Sequence, residues 1–101
     1  LPTPKCIYDL YCGNGNFTFP LAHQHPTSRI FGIELNQKSI DQAIQTTLVQ
    51  GLKNVTFQCA DVEKFVQKTQ FDREDLLLLD PPRIGCSELT IKSISQKSLK
   101  N

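Results

Sequence analysis

The stretch DLYCGNGNFTFPLA, from Asp9 to Ala22, changes character twice. It leaves an apolar, strand-like run, turns through Gly13 and Gly15, and continues into a helix-like pattern. Two glycines one residue apart let the backbone turn sharply and approach a ligand closely, because no Cβ stands in the way. A helix starting just beyond them presents unpaired N–H groups at the same point. A second stretch, DLLLLDPPRIG from Asp75 to Gly85, has a matching form: four leucines, then a carboxylate, two prolines and an arginine. Leucines without alternation suit a parallel strand covered on both faces.

The rest of the chain follows the same rhythm. CIYDLYC (6–12) predicts strand one, and NFTFPLAHQ (16–24) a short helix interrupted early by Pro20. RIFGIEL (29–35) predicts strand two. Ser39 and Gln42 have capping-box spacing, and Ile40, Ala43, Ile44 and Leu48 recur at helical spacing. Gly51 suits the end of that helix. VTFQCA (55–60) predicts strand three, VEKFVQK (62–68) a short helix and DLLLLD (75–80) strand four. SELTIKSISQKSLK (87–100) predicts a closing helix capped by Ser87. No repeat, low-complexity tract or linker appears, and 101 residues make one domain at most, 1–101.

Strand–helix alternation with apolar strands predicts a doubly wound α/β sheet. Such sheets bind ligands beyond the carboxyl ends of their strands, at the topological switch point. The polar clusters fall on that edge. Tyr11 to Asn16 follows strand one and Glu34 ends strand two, while Asp61 follows strand three and Asp80 ends strand four.

Composition narrows the partners. Eleven basic and 10 acidic residues give a net charge of +1, and their scatter excludes a basic nucleic-acid arm. No apolar run approaches the roughly 20 residues of a membrane helix, and the start, LPTPK, lacks a secretory pattern. The expected compartment is the cytoplasm. Cys6, Cys12, Cys59 and Cys86 form no C-x-x-C pair, and His23 and His25 are assigned to a loop, so no metal site is expected. Reduced, mostly buried thiols are expected there.

The two-glycine turn alone suits any nucleotide-like ligand. A dinucleotide fingerprint wants a third glycine where Thr18 stands, which counts against a nicotinamide cofactor. Glu34 follows the glycines by about 20 residues, where an acid accepts hydrogen bonds from both ribose hydroxyls. Asp61 either accepts from the exocyclic amine of adenine or caps the helix at 62–68.

These features resemble a class I S-adenosylmethionine-dependent methyltransferase. LYCGNGNF paired with DPPRIG about 65 residues later is similar to the RNA uracil-5 methyltransferase family, which makes 5-methyluridine in transfer or ribosomal RNA. The resemblance implies S-adenosyl-L-methionine as cofactor, RNA as partner, and a Rossmann-like sheet of strand order 3-2-1-4. It implies that Tyr11 and Asn16, with Gly13 and Gly15, line the methionine and adenosine pocket, and that Glu34 holds the ribose. Asp80 is implied beside the methionine end and the target base. Each has a plainer alternative: Tyr11 as core, Asn16 as a helix cap. Arg83 either pairs with Asp80 or contacts RNA phosphate.

In that family a cysteine thiolate adds to C6 of uracil, so that C5 becomes nucleophilic enough to take the methyl group. A glutamate-based site then removes the C5 proton. The cysteine lies in an S-C-N-P motif after the next strand, and the glutamate further on. The resemblance therefore implies an amino-terminal half of the cofactor domain, with no catalytic residue between Leu1 and Asn101. Cys12 matches a family cysteine that is not the nucleophile. RNA cytosine-5 methyltransferases place a cysteine directly after an Asp-x-Pro triplet. Arg83 stands there and Cys86 comes three residues later, so Cys86 is assigned no catalytic role. An amino-group methyltransferase would need an aromatic residue where Arg83 stands. A non-catalytic cofactor-binding module is the remaining rival. Thr46, where the family often has asparagine, is a small departure.

Overall fold

Four parallel strands form one sheet in the order β3-β2-β1-β4. They are β1 (Cys6–Leu10), β2 (Arg29–Glu34), β3 (Val55–Cys59) and β4 (Leu76–Leu79). Three helices connect them: α1 (Thr18–Gln24), α2 (Gln37–Gln50) and α3 (Val62–Lys68). The structure is a computed structural model and describes residues 3–79. The closing helix expected at 87–100, Asp80, Arg83 and Cys86 lie outside the described residues.

Side chains alternate across the sheet, so each strand feeds two cores. Ile7, Ile30 and Val55 meet Ala22 of α1 on one face. Leu10 and Ile33 meet Val62 and Val66 of α3, with Phe71, on the other. The central strands are thus apolar on both sides, as their sequence predicts. The outermost strand differs from expectation. Thr56, Gln58 and Cys59 of β3 are exposed, and Val55 alone in that strand is buried. An edge strand needs less apolar cover than a central one.

The helix ends correct two expectations. Asn36, not Ser39, caps α2: its side chain accepts the Ser39 backbone N–H at 3.0 Å. Asn36 lies three residues earlier and is among the strongest cap residues, so the helix gains a turn. Gly51 ends α2 as expected, with φ 66°. Helix α1 starts at Thr18 rather than residue 16, and Pro20 sits in its first turn, where no N–H is needed. His23 lies in the last turn of α1 rather than in a loop, and its Nε2 meets Gln50 Oε1 at 3.1 Å. The inward stripe of α2 is narrower than its sequence suggests. Ile40 and Ala43 are buried, whereas Ile44 and Leu48 are 42% and 70% exposed.

Candidate functional site

The loop after β1 sits at the carboxyl edge of the sheet and begins with an unusual backbone. Tyr11 (φ 63°), Gly13 (φ 59°) and Gly15 (φ 95°) are all left-handed. For tyrosine that conformation costs roughly 1–2 kcal/mol, and the surroundings impose it. The Cys12 N–H donates to the Ile33 carbonyl at 3.1 Å, extending the β1–β2 pairing beyond Leu10. The Gly15 N–H closes a turn onto the Cys12 carbonyl, and the Phe19 N–H then starts α1 on the Gly15 carbonyl, both at 3.0 Å.

Glu34 joins this loop to the next one. Its Oε1 accepts the Gly13 N–H at 3.0 Å, and its Oε2 accepts the Asn36 N–H at 3.0 Å. The Ala60 N–H donates to the Glu34 carbonyl at 3.0 Å, which brings the end of β3, and Asp61 after it, to the same edge. One carboxylate therefore fixes the glycine loop, the start of α2 and, through its backbone, the exit of β3.

The two glycines have separate functions. A Cβ on Gly15 would lie 2.6 Å from Phe19 Cε2 and 3.0 Å from Phe57 Cζ, so Gly15 lets the loop press onto the core. A Cβ on Gly13 would meet nothing within 4 Å. Gly13 thus presents bare backbone to open space beside the Glu34 carboxylate. That is room for a ligand, and a carboxylate acceptor suits the hydroxyls of a sugar diol.

The other expected residues divide. Asn16 is exposed and does not cap α1, whose N-cap position is Phe17 with no side-chain bond. Tyr11 is half-buried and packs against the core formed by Leu10, Ile33 and α3, as the plainer alternative expected. Asp61 caps α3, accepting the Lys64 N–H at 3.1 Å through Oδ1. The capping alternative holds, and the other carboxylate oxygen is available for a further partner. Asp80 lies outside the described residues.

Three features escaped the sequence reading. Asp9 is 2% exposed, and its Oδ2 accepts the hydroxyl of the fully buried Thr18 at 2.6 Å. This bond ties α1 to β1 directly beneath the loop. An acid inside the run CIYDLYC was the available signal. Leu35, just after β2, and Phe17, just before α1, are 64% and 63% exposed apolar side chains. Cys12 is the third. Burial foremost, then Asp9 and Glu34, pushes its pKa up to about 12. That shift favours the neutral thiol at neutral pH. Among the described residues no cluster of His, Cys, Asp or Glu could hold a metal, and no helix is long and apolar enough to cross a membrane.

A family model described as a methyltransferase domain matches residues 5–96. The chain is 42% identical over 91 residues to an uncharacterized RNA methyltransferase of Bdellovibrio bacteriovorus, covering 90% of this chain and 22% of that protein. It is 40% identical over 83 residues to a 23S rRNA (uracil(1939)-C(5))-methyltransferase of Shewanella amazonensis, covering 81% of this chain and 18% of the other. The chain thus spans about a fifth of the length of the curated relatives it matches. Among solved structures, the bifunctional kinase-methyltransferase WbdD superposes with a TM-score of 0.60 at 22% identity, over 66% of this chain and 14% of that one.

Proposed function

The chain belongs to the methyltransferase-domain family, and from that premise we propose that it is the S-adenosylmethionine-binding part of an RNA methyltransferase acting on C5 of uridine. The observation that carries this reading is the junction of Gly13 with Glu34. Bare backbone facing open space and a carboxylate stand together at the carboxyl ends of β1 and β2. Each carboxylate oxygen of Glu34 accepts one N–H and keeps further acceptor capacity. Two ribose hydroxyls require that capacity. Leu35, next to Glu34, offers an apolar face to adenine, and the free oxygen of Asp61 accepts from its amine.

Tyr11 and Asn16 are assigned to the methionine and adenosine side, Gly15 to packing of the loop, and Asp80 to the methionine end and the target base. The cofactor, when bound, supplies an electrophilic methyl group on a sulfonium centre. The described residues bind and orient, and the thiolate addition that C5 chemistry requires is assigned elsewhere. RNA, and uracil C5 within it, enter this reading through the relatives named above.

Calorimetric titration with S-adenosylhomocysteine and with NAD tests the cofactor. S-adenosylhomocysteine is expected to bind more tightly, and the reverse order overturns the reading. Glu34→Ala removes the charged acceptor of two hydroxyls, each bond contributing about 1.5–3 kcal/mol. S-adenosylhomocysteine affinity should fall at least tenfold. Unchanged affinity would remove Glu34 from the site.

A further inference from the structure

Edge strand β3 and helix α3 enclose a cleft of about 330 Å³ whose lining includes Gln58, Asp61, Lys64, Phe65, Lys68 and Thr69. Its Asp61 end meets the cofactor edge. The other residues have no part in the cofactor site and call for their own account.

Lys64 and Lys68 stand four apart on α3, so they share a stripe about one 5.4 Å turn apart. Like charges at that spacing destabilise a helix by a few tenths of a kcal/mol. Among the described residues neither lysine forms an ion pair. The ion pair found among the described residues is Lys5 with Asp72, at 4.0 Å. The nearby Asp61 carboxylate is engaged by the Lys64 backbone N–H, not by its ammonium. Phe65 is half-buried beside the two lysines on α3. Its ring is braced from behind by Tyr8 and Phe71, at centroid distances of 5.9 and 6.3 Å. A braced ring gives up little entropy on contact. Gln58 is exposed on the outermost strand and carries both a donor and an acceptor.

Two unpaired cations one turn apart, a fixed aromatic surface and an exposed amide are the needs of a single-stranded nucleic acid: phosphate neutralisation, stacking and a base-edge contact. An acidic peptide would use the lysines and leave Phe65 and Gln58 idle. We propose that the β3–α3 cleft binds single-stranded RNA, with Lys64 and Lys68 on two phosphates, Phe65 against a base and Gln58 on a base edge. The inference rests on the RNA methyltransferase reading and deepens it. A strand held in the cleft runs toward the cofactor edge.

Fluorescence anisotropy of the full chain with a labelled oligouridylate, across a salt series, tests the cleft. Each phosphate neutralised contributes roughly 0.7 to the slope of log affinity against log salt for single strands. Lys64→Ala with Lys68→Ala should therefore flatten the slope by about 1.4, with S-adenosylhomocysteine affinity unchanged. The double arginine variant should restore the slope. Phe65→Leu should weaken binding without altering the slope. An unchanged slope in the double alanine variant overturns the proposal. So does an unsubstituted chain that binds no oligouridylate at low salt, or that binds polyglutamate equally well. If S-adenosylhomocysteine binds and oligouridylate does not, the cleft assignment falls alone. If oligouridylate binds with the expected slope and S-adenosylhomocysteine does not, the cofactor reading falls and the cleft stands.

Discussion

Gly13 and Gly15 share a left-handed backbone, yet alanine should affect them differently. At Gly15 the added methyl would press into Phe19 and Phe57, and φ 95° is unfavourable for any other residue. Overpacking typically costs about 1–3 kcal/mol, and the backbone roughly 1–2 kcal/mol more. Gly15→Ala should therefore lower the denaturation midpoint strongly. Gly13→Ala meets no atom within 4 Å, so the roughly 1–2 kcal/mol of backbone strain stands alone. That methyl enters the space assigned to the cofactor, and S-adenosylhomocysteine affinity should fall by more than stability does. Denaturant titration beside calorimetry separates the two. Equal stability loss in both variants would contradict the division of labour.

Among the elements, α2 offers the sharpest test of what places a helix start. Asn36→Ala should destabilise by about 0.5–2 kcal/mol, as cap removals do, and Ser39→Ala by much less, because Ser39 contributes only its backbone N–H to the cap. Urea midpoints of the two variants decide this, and a larger loss for Ser39→Ala would restore the capping-box assignment. The sequence was ambiguous here because two cap residues stand three apart and both have suitable spacing. The strands were far more legible. CIYDL and RIFGIE are apolar enough to be covered on both faces, and that pattern has few other solutions. How much of each element is covered was not legible. The exposure of Ile44, Leu48 and Gln58 depends on where the edge of the sheet falls, which no local pattern records. The site followed the same rule. The glycines and acids could be read from their positions at strand ends. The Gly13–Glu34 bond joins residues 21 apart in sequence and exists only once β1 and β2 lie side by side.

At the scale of the whole molecule, pH acts through the centre of the sheet. Burial foremost raises the pKa of Tyr8 from 10.0 to about 12, with Cys6, Asp75 and Asp72 adding to the shift. Cys12, in the loop just after β1, rises from 9.0 to about 12 for the reasons given above. An unfolded chain releases these protons near pH 9 and 10, and the folded chain holds them until about 12. The unfolded state thus binds fewer protons in that window, and stability falls as pH rises through it. Below about pH 9 the contribution is fully present. Urea midpoints should stay level up to about pH 9 and decline toward pH 12, less steeply in Cys12→Ala. A midpoint as high at the alkaline end as at neutral pH would contradict this.

The strand order also sets a timetable for synthesis. Ile7 of β1 pairs with Ile30 on one side and with Leu76 on the other. The first partner leaves the ribosome soon after β1, but the second follows about 70 residues behind it. At roughly 5–20 residues per second, that interval lasts roughly 3–14 s. Throughout it the growing chain carries β1, a central strand of its sheet, with one side unpaired, a ready template for a neighbouring nascent chain on the same messenger. Translation speed between the codons for β3 and β4 therefore bears directly on the yield of folded protein. Slowing it lengthens the vulnerable interval rather than giving the chain time to fold.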